Sequence, residues 1–136
     1  MPGKTKRNVN SLFVAEQALK SIEQEFSSSV LYRQEKDLQT GFEAYFVVEG
    51  EAKTVKKRLV SIEEQHPLGR LFDIDVIDFG GVPISRKDIG IEPRKCLICG
   101  NESRYCMRNF THTQEELQNK IAEMINEYKS NQLHRD

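Results

Sequence analysis

Apolar residues in the first quarter of the chain recur at helical spacing: Leu12, Ala15, Ala18, Leu19, Ile22 and Phe26, with polar residues between them. That period predicts an amphipathic helix, ended by Ser27-Ser28-Ser29. The pattern then changes. Val30 to Gln34 reads as a strand, a polar turn runs through Asp37 and Gly41, and Phe42 to Val48 (FEAYFVV) is aromatic and β-branched, which predicts a hairpin. Gly50 breaks it. Ala52, Val55, Leu59 and Ile62 restore the helical period, with Lys53, Lys56, Lys57 and Arg58 among them. Such a basic face is first a solvated surface, and second a docking or phosphate-facing one. Leu71 to Phe79 predicts a third strand, turned at Gly80-Gly81 into a short return, Val82 to Ser85. After a loop that holds every cysteine, Thr113 and Glu116 form a capping box for a last helix, whose stripe is Leu117, Ile121, Met124, Ile125 and Tyr128. The ends, Met1 to Lys6 and Ser130 to Asp136, are expected to fray.

The order is helix, strand, strand, helix, strand, then a cysteine loop and a helix. One more strand ahead of the first helix would complete the βαββαβ order, so the expected class is α+β with a ferredoxin-like (split βαβ) sheet, helices on one face, lacking its first strand. A sheet opened at that position exposes a strand edge, which points to a shortened N-terminus. The length of 136 residues suits one domain. Within it, residues 1–90 are expected to form the α+β catalytic core, with the Cys/His loop and last helix of 91–136 packed against it.

Composition narrows the classes of function. Hydrophobic residues make up 38% and charged residues 30%, the balance of a folded globular chain. A net charge of -1 gives no global attraction to nucleic acid or to an anionic membrane, and no aromatic-basic recognition motif is present. No apolar run approaches the roughly 20 residues that span a bilayer, and the basic N-terminus lacks a signal-like apolar stretch, so a cytoplasmic location is expected.

The chemistry concentrates between His66 and Asp75, HPLGRLFDID. Side chains alternate along a strand, so Asp73 and Asp75 emerge on one face while Ile74 and Val76 point to the core; Asp78 falls on the core-side face and is the weaker candidate. Two carboxylates side by side repel unless a cation joins them. A hard ion such as magnesium takes one or two carboxylates together with substrate phosphates, the arrangement used for phosphoryl and nucleotidyl transfer. The bland alternative is the polar face of a half-exposed strand. Context favours the metal: the preceding loop supplies His66, Gly69 and Arg70. Arg70 can grip a phosphate bidentately, and Gly69 permits a positive φ or a close backbone approach. His66 fits a general base, a phosphate ligand or a helix-end cap equally. Downstream, Arg86, Lys87, Arg94 and Lys95 are either further phosphate contacts, Arg86 foremost, or a mixed-charge surface loop.

The second cluster is Cys96-x2-Cys99-x6-Cys106-x5-His112. Three thiols and an imidazole can hold zinc tetrahedrally, and the same residues also fit reduced cysteines packed in a small subdomain. Zinc here would be structural, holding Arg94 and Arg108 in place.

The runs HPLGRLFDIDV, ISRKD and PRKCLIC, then a third cysteine followed by MR and a histidine, resemble the apo-citrate lyase phosphoribosyl-dephospho-CoA transferase family. The likeness runs from the PGKTK start through His112. It implies transfer of a triphosphoribosyl-dephospho-CoA group onto a serine of the citrate lyase acyl carrier (gamma) subunit, with release of pyrophosphate. It also implies metal-binding aspartates at Asp73 and Asp75, and motif positions at His66, Arg70, Arg86 and Arg94. Members of that family have a strand ahead of the PGKT position. The competing function is a non-enzymatic zinc-binding module that recruits a protein partner.

Overall fold

The computed structural model describes residues 9–38 and 41–135. Met1 to Lys6, expected to fray, lie outside these residues. The first helix, α1, runs Val9–Glu25 and buries Ser11, Val14 and Ile22. Its stripe is therefore rotated from the expected one, and Leu12, Ala15 and Leu19 are only half-buried. Strands β1 (Val30–Leu38) and β2 (Gly41–Val48) pair antiparallel, as the alternation predicted, with β1 extending past Gln34 and a register irregularity between Val30 and Tyr32.

Helix α2, Ala52–Gln65, buries Val55, Lys56, Leu59, Val60 and Glu63. Those five positions follow a helical period and make one continuous face, on which a lysine and a glutamate sit among aliphatics. Lys53 and Lys57 are exposed, as a solvated basic face requires; Lys56 is not. Arg58 closes α1 from outside: its Nε donates to Glu25 Oε1 at 2.8 Å, its Nη2 donates to the Glu25 carbonyl at 2.6 Å, and its guanidinium lies over the Phe26 ring. Cations at a helix C-terminus satisfy carbonyls left without intrahelical partners.

The expected third strand is much shorter than Leu71 to Phe79. Gly69–Leu71 is a single 3-10 turn, residues 72–75 form no ladder, and only β3 (Val76–Ile77) pairs, with β4 (Pro83–Ile84). The described residues thus make a mixed α/β architecture with two separate two-stranded antiparallel sheets rather than one three-stranded sheet. The physical reason is spacing. A ladder needs a neighbour about 4.8 Å away, whereas a cleft of about 1150 Å³ lies between β2 and residues 71–79, floored by apolar residues of α1.

Helix α3 spans Ser103–Asn109, and α4 spans Gln114–Arg135. The capping box at α4 is present in both directions: the Thr113 N–H donates to Glu116 Oε1 at 3.1 Å, and the Glu116 N–H donates to Thr113 Oγ1 at 3.0 Å. Residues from Ser130 onward, expected to fray, continue this helix through Arg135. Ile121 and Ile125 of α4 pack with Val14, Leu68, Leu71 and Phe72 in one core cluster, so the HPLGRLF turn is held between the first and last helices. A second cluster joins Ile22 and Phe26 to Val55, Leu59 and Val76.

Candidate functional site

The turn after α2 is built by its own residues. The His66 N–H closes the helix on Ile62 O at 2.9 Å, and the Leu68 N–H donates to His66 Nδ1 at 2.9 Å. An imidazole nitrogen that accepts carries no proton, so the ring hydrogen sits on Nε2. The ring lies 4.9 Å from Phe72 and 5.4 Å from Tyr128, centroid to centroid, and its burial lowers its pKa. Of the roles open to His66, this geometry provides the cap. Gly69 follows from close approach: a Cβ there would stand 1.9 Å from the Glu63 carbonyl oxygen.

Asp73 and Asp75 keep the expected alternation although they lie outside a ladder. Both are exposed, Ile74 between them is half-buried, and Val76 is buried. Asp78 is a turn residue: its Oδ1 accepts from the Gly80 and Val82 N–H groups, each at 2.9 Å. Among the described residues, Asp73 and Asp75 belong to no group of three or more metal-ligating side chains. Two hard oxygen donors fit an ion whose remaining positions are filled by substrate oxygens and water, as magnesium sites often are.

The arginines divide into two kinds. Arg70 is exposed and donates from Nη2 to the Lys95 carbonyl. In return, Arg94 Nη2 donates to the Phe72 carbonyl at 2.6 Å and reaches the Gly69 carbonyl at 3.5 Å. These two side chains cross and clasp the cysteine loop to the HPLGRLF turn. Arg94 also pairs with Glu63 Oε2, and Arg86 Nη2 approaches Glu63 Oε1 at 3.4 Å. Burial lowers the Arg94 pKa. Lys87 and Lys95 are exposed. Periodicity pointed to neither Glu63 nor Lys56. Lys56 is 8% exposed, and its pKa is lowered first by burial and then by Arg86, with Asp75 acting in the opposite direction. A helical run 55-56-59-60-63 was the signal available in the sequence.

The second cluster comes together. Sγ of Cys96, Cys99 and Cys106 and a ring nitrogen of His112 all lie within 4.8 Å of one another, with Cys99 and Cys106 Sγ 3.5 Å apart. Zn–S bonds of about 2.3 Å at tetrahedral angles put sulfurs about 3.8 Å apart, so these side chains can hold a metal ion. The Cys96 N–H donates to Asn101 O at 2.7 Å, and the Ile98 N–H points at Cys96 Sγ at 3.5 Å, making a tight turn around the first two thiols. Phe110, in the left-handed conformation at φ 48°, ends α3 and sends the chain back so that His112 reaches the thiols. A non-glycine residue held there costs about 1–2 kcal/mol, which marks the return as imposed by its surroundings. Among the described residues, His112 Nε2 is buried without a hydrogen-bond partner. The His112 ring, then the Asn101 backbone, lowers the Cys99 pKa to about 6, while burial and the neighbouring thiols push Cys106 up to about 11.

Fold and site together define a mixed α/β protein in which a Cys3His cluster able to hold a metal is clasped by two arginines to a segment bearing paired carboxylates. Among the described residues no helix is long and apolar enough to cross a membrane. A family model described as apo-citrate lyase phosphoribosyl-dephospho-CoA transferase matches residues 1–128. The chain is 39% identical over 136 residues to the "Probable apo-citrate lyase phosphoribosyl-dephospho-CoA transferase" of Vibrio cholerae serotype O1 (strain M66-2), covering 94% of this chain and 74% of that protein. It is 35% identical over 88 residues to the apo-citrate lyase phosphoribosyl-dephospho-CoA transferase of Escherichia coli O9:H4 (strain HS), covering 65% of this chain and 48% of that one. The "Protein CitXG" of Haemophilus influenzae is 41% identical over 87 residues, which is 64% of this chain and 19% of that protein. The chain belongs to the apo-citrate lyase phosphoribosyl-dephospho-CoA transferase family.

Proposed function

We propose that this chain is a transferase that attaches the triphosphoribosyl-dephospho-CoA prosthetic group to a serine of the citrate lyase acyl carrier subunit and releases pyrophosphate. The serine oxygen forms a bond to the α-phosphorus of the donor, the bond from that phosphorus to the bridging oxygen breaks, and pyrophosphate leaves with the electron pair. The serine proton passes to a base in the complex. The observation that carries this reading is the pair of exposed carboxylates, Asp73 and Asp75, presented on one side of the segment that follows the HPLGR turn.

Asp73 and Asp75 would hold magnesium, which when bound supplies neutralisation of charge developing at phosphorus. Arg86, whose guanidinium faces Glu63 and Glu64, would serve as a phosphate contact. His66, Gly69, Arg70 and Arg94 support the site by shaping the turn and tying it to the cysteine loop, and exposed Lys87 is left to meet substrate. Zinc held by Cys96, Cys99, Cys106 and His112 would fix the Arg94 end of that clasp. The ferredoxin-like reading also has support, since a split βαβ unit places its first strand between the third and fourth. The cleft between β2 and residues 71–79 supports this reading as a space in which such a strand would fit.

Asp73→Asn with Asp75→Asn is the direct test, read as pyrophosphate release from donor and carrier. The double variant should fold and lose release; full activity in it would remove the carboxylate mechanism. The Cys3His cluster favours a second reading, a zinc-dependent interaction module without catalysis. That reading requires zinc for partner binding and leaves the aspartates dispensable.

A further inference from the structure

Phe110 stands where folding gains nothing from an aromatic ring. It ends α3 in the left-handed conformation, at φ 48°, which glycine or asparagine adopts at less cost. The residue is 87% exposed, so no burial offsets that strain. The return toward His112 needs this backbone and not this side chain. Met107 is 74% exposed, and Tyr105 is exposed as well. Of the seven residues of α3 only Cys106 is buried, and a helix of that length spans about 10 Å, so these side chains share one small surface. Exposed apolar residues are ordinary singly; three on one short helix and its cap make a patch of the kind that partners cover. Helical spacing places Arg104 and Arg108 on the Met107 side. Both are exposed, and among the described residues neither makes an ion pair. A cation in the last turn can simply answer the helix dipole, which accounts for Arg108 but not for Arg104. From Lys95 to Phe110 the exposed charges are Lys95, Arg104 and Arg108 against Glu102, a local positive excess in a chain of net charge -1.

We propose that the exposed face of α3, with Phe110, docks an acidic protein partner: Phe110 enters an apolar pocket on it, and Arg104 and Arg108 pair with carboxylates at the rim. Aromatic and arginine side chains are the ones that carry most of the energy at protein interfaces. A nucleic acid or an anionic bilayer is disfavoured, because three cations against one carboxylate, on a chain that is negative overall, are too few to hold a polyanion. The Lys53 and Lys57 face of α2 has charge but no exposed large apolar side chain, so it lacks an anchor. The position of α3 suits the proposed reaction. Ser103, its first residue, donates from Oγ to the Lys95 carbonyl at 2.9 Å and from its N–H to the Arg94 carbonyl at 3.0 Å. The Lys95 carbonyl also accepts from Arg70, and Arg94 reaches the carbonyl of Phe72, next to Asp73. A partner held on α3 is thereby tied to the segment that bears the paired carboxylates. Its identity as the acyl carrier subunit rests on the transferase reading, whereas the surface itself rests on exposure, charge and the Phe110 backbone.

The probe is the apo acyl carrier subunit of citrate lyase, titrated calorimetrically into the full chain and its variants at low and at raised salt. Phe110→Gly separates docking from folding. Glycine relieves the left-handed backbone, so the melting temperature should hold or rise, while the carrier should bind at least about tenfold more weakly. Arg104→Glu with Arg108→Glu should also weaken binding at least about tenfold, and the affinity of the unaltered chain should fall as salt is raised. Lys53→Glu with Lys57→Glu makes the same change of charge on α2 and should weaken binding less than about threefold, as charges outside an interface do. Unchanged affinity or a lowered melting temperature in Phe110→Gly, a salt-insensitive affinity, or equal losses from the two charge reversals would each overturn the proposal. Phe110-dependent binding to vesicles of anionic phospholipid would overturn it in favour of a membrane surface. A carrier that is modified, and that binds every variant equally, would remove this surface and leave the transferase reading standing; a carrier that neither binds nor is modified would remove both.

Discussion

Glu63→Gln is the perturbation that most cleanly probes how the site is held together. Its side chain is 4% exposed and joins Arg94, whose side chain is 29% exposed, to Arg86, whose side chain is 16% exposed. Glutamine keeps the volume and one acceptor but removes the charge, leaving Arg86 with the exposed Glu64 and Arg94 without an ion-pair partner among the described residues. Breaking a buried ion pair by removing one partner costs about 3–5 kcal/mol. The partial exposure of Arg94 allows water to relieve some of that, so the low end applies, about 3 kcal/mol. In a chain of this size each kcal/mol moves the melting temperature by about 4 °C, which predicts a fall of about 12 °C. Urea denaturation of Glu63→Gln, Arg94→Gln and the double variant would give the coupling directly. The cycle should show the double variant losing less than the sum of the singles, by about 2 kcal/mol. A Glu63→Gln midpoint within about 0.5 kcal/mol of the parent, or strictly additive losses, would refute the idea that Glu63 neutralises this cluster.

Further outcomes follow from the turn and the thiol cluster. Gly69→Ala should cost about 3 kcal/mol, because its Cβ would overlap the Glu63 carbonyl and the 3-10 turn must move; thermal melting that matches the parent would contradict the close approach. His66 has a folded-state pKa below its usual 6.5, so its neutral ring contributes stability that is full above pH 6.5 and is lost as pH falls toward the folded value. His66→Asn, which retains an acceptor for the Leu68 N–H, should flatten this acid-side decline in a pH series of denaturation curves, whereas an unchanged slope would assign it elsewhere. Purified chain should contain about one zinc by elemental analysis and lose thermal stability on chelation; absence of zinc together with an unmoved melting curve would leave the cysteines as packing residues.

Much of this organisation is written in short-range patterns. The α4 stripe and its Thr113–Glu116 capping box, the β1–β2 hairpin and the Cys/His spacing each depend on residues a few positions apart, and each is found where the spacing puts it. What sequence could not supply is the partner across space. Arg70 and Arg94 look like phosphate ligands until their crossing, each reaching a carbonyl 25 residues away in the chain, is seen. Lys56 looks solvated because lysine is seldom buried, yet it shares a face with Val55, Leu59 and Val60. Leu71 to Phe79 has the composition of a strand, but strand formation also needs an adjacent edge, and only Val76–Ile77 finds one among the described residues.

We propose that this chain modifies a carrier protein through the Asp73–Asp75 site. Intact-mass spectrometry of the apo acyl carrier subunit, incubated with the chain, the triphosphoribosyl-dephospho-CoA donor and magnesium, tests it most directly. The predicted result is a single mass addition equal to the donor less pyrophosphate, located on one serine and absent with Asp73→Asn/Asp75→Asn. An unmodified carrier in the presence of folded chain would contradict it.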